Sequence, residues 1–176
     1  MRSETRRQRY NEKAKSAKKY PISICAINFR VDDNLGYLVR SAACFGAQRI
    51  HVIGHVPVRS VLKSPSGSLI DYVEVVQHTR PSDFLLEMQE QKTKIISAEL
   101  VGGAKPLSSY DFTFDSDCCV VVGNEESGVP VEILRNSENI YIPMPGVGFC
   151  LNTAQAANII LYEAVKQYEE RKWIAA

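Results

Sequence analysis

Apolar positions along this chain fall into two kinds of block. Short continuous apolar runs, such as residues 22–27 and 118–122, are typical of buried strands, whereas residues 35–45 carry apolar side chains at helical spacing before Gly46, a natural helix stop. The pattern predicts strands at 22–27, 50–53, 72–76, 94–98, 118–122 and 140–144, and helices at 35–45, 81–91, 130–135 and 152–170. Because strands and helices alternate, we expect an α/β fold with a mostly parallel sheet flanked by helices.

The boundaries of these elements carry their own signals. Residues 32–34 offer caps for the first predicted helix, Pro130 suits a first helical position, and Asn152 is a good N-cap for the last helix. Residues 57–70 and 102–116 are rich in proline, glycine or polar residues, and we expect them to be irregular.

Charge divides the chain unevenly. Residues 1–20 hold eight Lys/Arg and two Glu, a net charge of +6, while the remaining 156 residues carry −5. We therefore divide the chain into a basic arm, residues 1–20, and one globular domain, residues 21–176. The arm is either a polyanion-binding segment or a solvated, frayed terminus, and charge alone leaves both interpretations open.

Several classes of protein are disfavoured by what the sequence lacks. No apolar run approaches the roughly 20 residues that cross a bilayer, and the charged N-terminus has no apolar segment typical of a secretory signal, so we expect a cytoplasmic protein without membrane contact. There are five cysteines, an odd number, and four of them lie in apolar surroundings, which indicates reduced, buried thiols.

Metal-binding spacing is also missing. His51, His55 and His78 show no pairing with cysteines at zinc spacing, and Gly54 and Pro57 argue against a helix that would align the first two histidines. We expect no metal site.

Unusual polar residues follow three of the predicted strands, at positions where open α/β sheets bind ligands. Arg40 is either a surface residue or a guanidinium that grips a phosphate, and Glu125 is either a ligand-positioning acceptor or the cap of an ordinary turn. Cys150 precedes a helix start, where a thiol is activated in some enzymes. Neither a G-x-G-x-x-G fingerprint nor a P-loop occurs in the chain.

Taken together, the three blocks resemble the SPOUT superfamily of RNA methyltransferases, in its TrmH (SpoU) branch. The first block has Asn34, Arg40 and the sequence AACFG at 42–46; the second is VVVGNEESG at 120–128. The third runs from IPM at 142–144 through Leu151 and Asn152 to YE at 162–163. The resemblance spans residues 22–168.

This resemblance implies a C-terminal trefoil knot, a homodimer, bound S-adenosylmethionine, and methylation of a ribose 2′-hydroxyl in tRNA or rRNA. It implies that Arg40 orients the hydroxyl, that Asn34 and Glu125 position Arg40 and the ligand, and that Asn152 fixes the last loop. The residues implied to hold the cofactor are Ala98, Gly123, Ile142, Met144, Leu151 and Asn152.

Cys150 departs from the pattern, because the family usually has serine there. A thiol is a weaker hydrogen-bond donor than a hydroxyl. An alternative interpretation is therefore a non-catalytic, SPOUT-like RNA-binding protein.

Overall fold

A computed structural model describes residues 5–113 and 115–174 of the chain. The elements in chain order are α1 Arg6–Ala14, β1 Ile22–Ile27, α2 Asp32–Phe45, β2 Arg49–Ile53, α3 Arg59–Lys63, β3 Glu74–His78, α4 Pro81–Glu90, β4 Lys94–Ala98, β5 Lys105–Pro106, β6 Cys118–Val122, α5 Val131–Leu134, β7 Glu138–Tyr141 and α6 Thr153–Ile174. Short 3-10 helices lie at Leu69–Asp71 and Leu107–Ser109.

The seven strands form one sheet in the order β3-β2-β1-β6-β4-β7-β5, and every neighbouring pair is parallel. The most apolar strand, β6, lies between β1 and β4, with all five of its residues buried. This confirms the α/β class with a parallel sheet. Because all strands run the same way, the carboxyl ends of β1, β6, β4 and β7 lie side by side on one edge of the sheet.

Apolar clusters cover both faces of the sheet. One face packs against α2 and α6, which also pack against each other. Of the apolar stripe expected on α6, three residues are buried in this core and two are partly buried against it, while the sixth is buried near the start of the helix: Ala157, Leu161 and Ala164; Val165 and Tyr168; and Ala154. The other face is covered by α4 and α5 through Phe84, Met88 and Ile133. Two packed faces account for the continuous apolar character of the central strands.

Helix ends follow the expected local chemistry with two exceptions, one of which is Pro130, because it precedes α5 instead of occupying its first position. Gly46 ends α2 in the left-handed conformation, with a φ of 69°, and the amide oxygen of Asn152 accepts from the N–H groups of Ala154 and Gln155, as a cap does. The expected capping by residues 32–34 is wrong, because α2 begins at Asp32 and Val31 precedes it without a side-chain cap. Asp32 and Asp33 instead lie in the first turn, where negative charge favours the helix dipole.

Other boundaries move by a few residues. β3 begins two residues later than predicted, because a 3-10 helix occupies 69–71, and β7 begins two residues earlier. The segments 57–70 and 102–116, expected to be irregular, contain α3, β5 and both 3-10 helices. These short elements have no apolar periodicity of their own.

The cysteine prediction was partly wrong. Cys25, Cys118 and Cys119 are buried, but Cys44 lies on an exposed position of α2, and Cys150 is also exposed. All five are free thiols, and burial raises the pKa of Cys118 to about 12. The buried thiols therefore act as small apolar side chains.

Candidate functional site

A cavity of about 470 Å³ lies beyond the carboxyl ends of β4, β6 and β7. Every residue that the resemblance assigned to the cofactor lines it: Ala98, Gly123, Ile142, Met144, Leu151 and Asn152. Glu125 and Cys150 line the same cavity, together with Glu99 and Phe149, which the sequence argument missed. The strand-end placement agrees with where open α/β sheets bind ligands.

Three of the predicted residues form one hydrogen-bonded chain. The Asn34 amide donates to Oε1 of Glu125 over 2.6 Å, and the Asn152 amide donates to Oδ1 of Asn34 over 2.9 Å. Asn34 is only 5% exposed, whereas its two partners are exposed, so both hydrogen bonds are partly buried. The chain ties together α2, the turn after β6 and the start of α6, which are far apart in sequence.

The Glu125 carboxylate is held in its charged form. Burial by itself raises the pKa of this carboxyl, but hydrogen bonds from backbone N–H groups, including that of Arg30 at 3.0 Å, and from the Asn34 amide outweigh burial and leave the pKa below its usual value. The Glu125 carboxylate therefore links the turn after β6 to the segment after β1.

The turn at 123–128 is shaped by close backbone contact. Asn124 and Gly128 exchange backbone hydrogen bonds, and Oδ1 of Asn124 accepts from the N–H groups of Glu126 and Ser127. A Cβ atom on Gly123 would lie 2.4 Å from the carbonyl carbon of Gly128. Only glycine fits at Gly123, which brings bare backbone to the cavity wall.

Arg40 lies apart from this chain of bonds. It is exposed on the face of α2 that meets residues 65–67, and a Cβ atom on Gly67 would come within 2.8 Å of its Nη2 atom. Among the described residues, no hydrogen bond or ion pair joins Arg40 to Asn34 or Glu125. In the single chain, then, Asn34 and Glu125 hold each other and leave the Arg40 guanidinium free.

Cys150 stands in an exposed loop at the cavity rim, three residues before α6 begins. Within the described part of the chain, no histidine lines this cavity. A cysteine–histidine nucleophile, which needs the two side chains within hydrogen-bond reach, is therefore not supported here.

A second cavity of about 550 Å³ adjoins the first, and the two share Leu151 and Asn152. It lies between α2 and α6, where Asn34, Tyr37 and Ile159 line it. In the hydrogen-bonded chain, Asn152 thus lines both cavities, Glu125 only the first and Asn34 only the second.

Histidines gather elsewhere, on the face covered by α4. Nδ1 of His51 lies 3.0 Å from Nε2 of His78, and a Glu87 oxygen lies 3.8 Å from that Nε2 atom. Spacing could not reveal this group, because it draws on β2, β3 and α4. The two imidazoles already contact each other, and the Glu87 carboxylate lies within 4.0 Å of the Arg49 guanidinium. Each of the three side chains therefore has a partner within the protein. The expectation of no metal site stays a prediction.

The basic arm forms a helix that docks on the domain. Tyr10 of α1 meets the ring of Tyr72 edge-on at 5.9 Å, and the Tyr72 hydroxyl donates to Oδ1 of Asn11. Arg6, Arg7, Arg9 and Lys13 are all exposed on this helix. Farther along the arm, Lys18 pairs with Glu169 of α6 at 2.7 Å.

The parallel sheet and its strand-end cavity define the class of α/β proteins that bind ligands at the carboxyl edge of the sheet. Within that class, the sequence profile of the SpoU rRNA Methylase family matches residues 21–162, and this chain belongs to that family. The match confirms the TrmH-branch resemblance.

Two individual relatives show the level of sequence identity. The tRNA (guanosine(18)-2′-O)-methyltransferase of Escherichia coli (strain K12) is 26% identical over 147 residues, which cover 83% of this chain and 63% of that protein. The 23S rRNA (uridine(2479)-2′-O)-methyltransferase of Streptomyces viridochromogenes is 31% identical over 140 residues, which cover 76% of this chain and 48% of that protein. The chain thus spans less than two thirds of the length of these relatives.

Solved structures share the fold. The A. aeolicus TrmH/SpoU tRNA modifying enzyme superposes with a TM-score of 0.82 at 25% identity, covering 94% of this chain and 85% of that one. The SpoU methyltransferase AviRb from Streptomyces viridochromogenes, in complex with the cofactor AdoMet, superposes with a TM-score of 0.76 at 24% identity. The match covers 87% of this chain and 60% of that one, and it shows a shared fold alone. No helix in the described residues is both long enough and apolar enough to cross a membrane.

Proposed function

We propose that this protein transfers a methyl group from S-adenosylmethionine to a ribose 2′-hydroxyl of tRNA or rRNA. The observation that carries the proposal is the hydrogen-bonded chain of Asn34, Glu125 and Asn152, in which Glu125 and Asn152 line the strand-end cavity and Asn34 joins them. Family membership supports it, since the relatives described above are named as 2′-O-methyltransferases of tRNA and of 23S rRNA.

The cavity suits an adenosine-bearing cofactor. Ile142, Met144 and Leu151 offer apolar surface to a base, and the bare backbone at Gly123 allows close approach. The cofactor would supply an already activated methyl group on a sulfonium. The protein's own task is then to place and polarise the accepting hydroxyl.

Arg40 is the residue that we assign to the hydroxyl and its neighbouring phosphate. An arginine side chain stays protonated because its pKa exceeds about 12, so it would stabilise negative charge on the ribose oxygen rather than remove the proton. Its exposure and its freedom from Asn34 and Glu125 leave the guanidinium available to RNA.

We also propose a homodimer that uses the face formed by α2 and α6. Tyr37, Ile159 and Tyr162 are exposed apolar side chains on this face, and the second cavity lies between the two helices. The occupant is a second copy of the chain, as the family resemblance implies, and it would cover Asn34 and Asn152, which line the second cavity. The trefoil knot belongs to the same proposal and rests on the family resemblance. A cytoplasmic location is also proposed, in agreement with relatives that are named for modifying tRNA and rRNA.

The proposal is tested by calorimetric titration with S-adenosylmethionine and by transfer of labelled methyl groups to total tRNA and rRNA. We expect wild-type binding and transfer, with Arg40→Ala slowing transfer by about 10²–10³-fold while cofactor affinity is unchanged. Arg135→Ala, which removes an exposed arginine directly after α5, is the control.

Three outcomes discriminate between the candidates. No cofactor binding at millimolar concentration refutes the proposal, whereas methyl transfer at an unchanged rate in Arg40→Ala refutes the role assigned to Arg40. RNA binding without transfer, unchanged by Cys150→Ser, supports the non-catalytic alternative that the exposed thiol at position 150 favours.

A further inference from the structure

Glu99 is the acidic residue of the cavity whose role the known motifs do not explain. It follows directly after β4, and its backbone N–H donates to the Ile140 carbonyl of β7 over 2.9 Å. The side chain lines the cavity, and Oε2 accepts from the N–H of Val129 over 3.0 Å. Both its backbone and one carboxylate oxygen are therefore fixed in place.

The turn after β6 is built around this carboxylate. Gly128 has a φ of 65°, and a Cβ atom there would lie 2.4 Å from Oε2 of Glu99. Any other residue at position 128 would push the carboxylate away. An ionised carboxylate offers about four acceptor positions, and the contacts of the described residues use one of them, that to Val129.

Of the other two acidic side chains of the cavity, one already accepts hydrogen bonds within the protein and the other is exposed. Glu125 accepts from Asn34 and Arg30, and Glu126 is exposed and paired with Arg30. Glu99 is thus the partly buried cavity carboxylate with acceptor capacity left for a ligand.

We infer that Glu99 binds the ribose of the cofactor, its free carboxylate oxygen accepting hydrogen bonds from the vicinal hydroxyls. This inference rests on the proposed function. An acid near the end of a parallel strand holds a ribose 2′-hydroxyl in dinucleotide-binding folds, and here the carboxylate lies in the same cavity wall as Gly123. The competing ligand group is the ammonium of the cofactor's amino-acid part, which a carboxylate also attracts.

The test compares ligands that carry different parts of the cofactor. S-adenosylhomocysteine has both the ribose and the ammonium, whereas 5′-methylthioadenosine keeps the ribose and lacks the ammonium. Glu99→Gln is the variant, because its amide oxygen still accepts from Val129 while the charge is lost. Glu126→Gln removes a second cavity-lining charge that is exposed, and it serves as the matched control.

We expect Glu99→Gln to raise the Kd of both ligands by a similar factor of roughly 10 to 100, because the ribose hydroxyls then lose a hydrogen bond to a charged group. The 2′,3′-dideoxy form of 5′-methylthioadenosine lacks both hydroxyls, so it should bind wild type more weakly than 5′-methylthioadenosine does, by the same factor. It should bind wild type and Glu99→Gln with equal affinity. This non-additivity marks a direct contact between Glu99 and the hydroxyls.

Several results would overturn the inference. A loss of affinity for S-adenosylhomocysteine alone assigns Glu99 to the ammonium, and unchanged affinity for both ligands leaves it only a structural role. The dideoxy comparison on wild type needs no variant, so equal binding of the two nucleosides refutes the inference even if Glu99→Gln folds poorly. Wild type that binds no ligand refutes the proposed function as well, which distinguishes the two failures.

Discussion

At the scale of single residues, Asn34 joins parts of the chain that the sequence separates widely. Its side chain donates to Glu125 and accepts from Asn152, so one buried amide orients both partners. A buried polar group left without its partner costs about 1–3 kcal/mol. Asn34 therefore contributes to both folding and the shape of the cavity wall.

We expect Asn34→Ala to lower the free energy of unfolding by about 1–3 kcal/mol and to weaken cofactor binding, because Asn152 and Glu125 lose their common partner. Urea unfolding and calorimetric titration measure the two effects. Asn136→Ala, which removes an exposed amide bonded only to the Glu132 carbonyl, should change neither by a comparable amount. Unaltered cofactor affinity in Asn34→Ala would separate this residue from the site.

His51 gives a pH-dependent prediction. Burial, with smaller contributions from His78 and Arg49, lowers the pKa of His51 to about 4. The folded state thus keeps this imidazole neutral, whereas the unfolded chain binds a proton near the ordinary value of about 6.5. Stability from this group is fully present above that value and is lost as the pH falls toward 4.

We expect the free energy of unfolding to decline between pH 6.5 and 4, with His51→Leu showing a shallower decline even though its stability at pH 7 is lower. Urea unfolding across this pH range measures both slopes. His55→Leu, which changes an exposed histidine outside the buried group, should keep the wild-type slope. Equal slopes for wild type and His51→Leu would contradict the prediction.

Motifs predicted which residues line the cavity but not which of them touch one another. The pairing of Asn34 with Glu125 depends on β1 and β6 being neighbours in the sheet, and the position of Arg40 depends on residues 65–67 packing against α2. Glu99 was missed because a lone acid after a strand has no distinctive spacing. Contacts of this kind arise from tertiary packing, which local patterns do not encode.

At the scale of elements, the charged helix α1 is held on the domain by contacts with one aromatic residue. None of its residues is buried, so its own packing contributes little, and Tyr72 supplies a ring contact and a hydrogen bond instead. Composition predicted the charge of the arm, but its docking depends on an aromatic residue 61 positions away.

Three bases of α1, Arg6, Arg9 and Lys13, lie on one helix face. If this face meets RNA phosphates, changing all three to Gln should weaken binding of bulk tRNA and reduce the slope of log affinity against log salt by about 2, because each phosphate contact releases counterions. Fluorescence anisotropy at several salt concentrations measures the slope.

The control for this charge change removes three exposed bases outside α1: Lys92, Lys105 and Arg135, each changed to Gln. It should lower the slope less than the α1 variant does. If both sets lower the slope equally, net charge rather than the docked helix governs RNA affinity.

At the scale of the whole molecule, alternation of strands and helices was enough to predict the parallel sheet. The strand order was not predictable, because β6 inserts between β1 and β4 through pairings with strands distant in sequence. The apolar character of β6 indicated only that it is central.

The proposed dimer gives a prediction at this scale. Ile159→Glu should lower the apparent mass from twice the 19.7 kDa of the chain toward a single copy, because it places a charge within an apolar contact. Light scattering after gel filtration measures the mass. Leu86→Glu alters an exposed apolar residue of α4 on the other face of the sheet and should leave the mass unchanged. Wild type that stays monomeric at about 100 μM, where even a weak dimer of micromolar Kd would form, contradicts the proposed dimer.

Leu151 and Asn152 form a common wall between the two cavities, and this has a thermodynamic consequence. A ligand that orders this wall from one side changes the surface offered to a second copy on the other. Because coupling between two binding events is reciprocal, any factor by which association tightens cofactor binding is also the factor by which the cofactor tightens association. The ratio of the dimer association constants measured with and without cofactor would then give the coupling free energy between the two binding events.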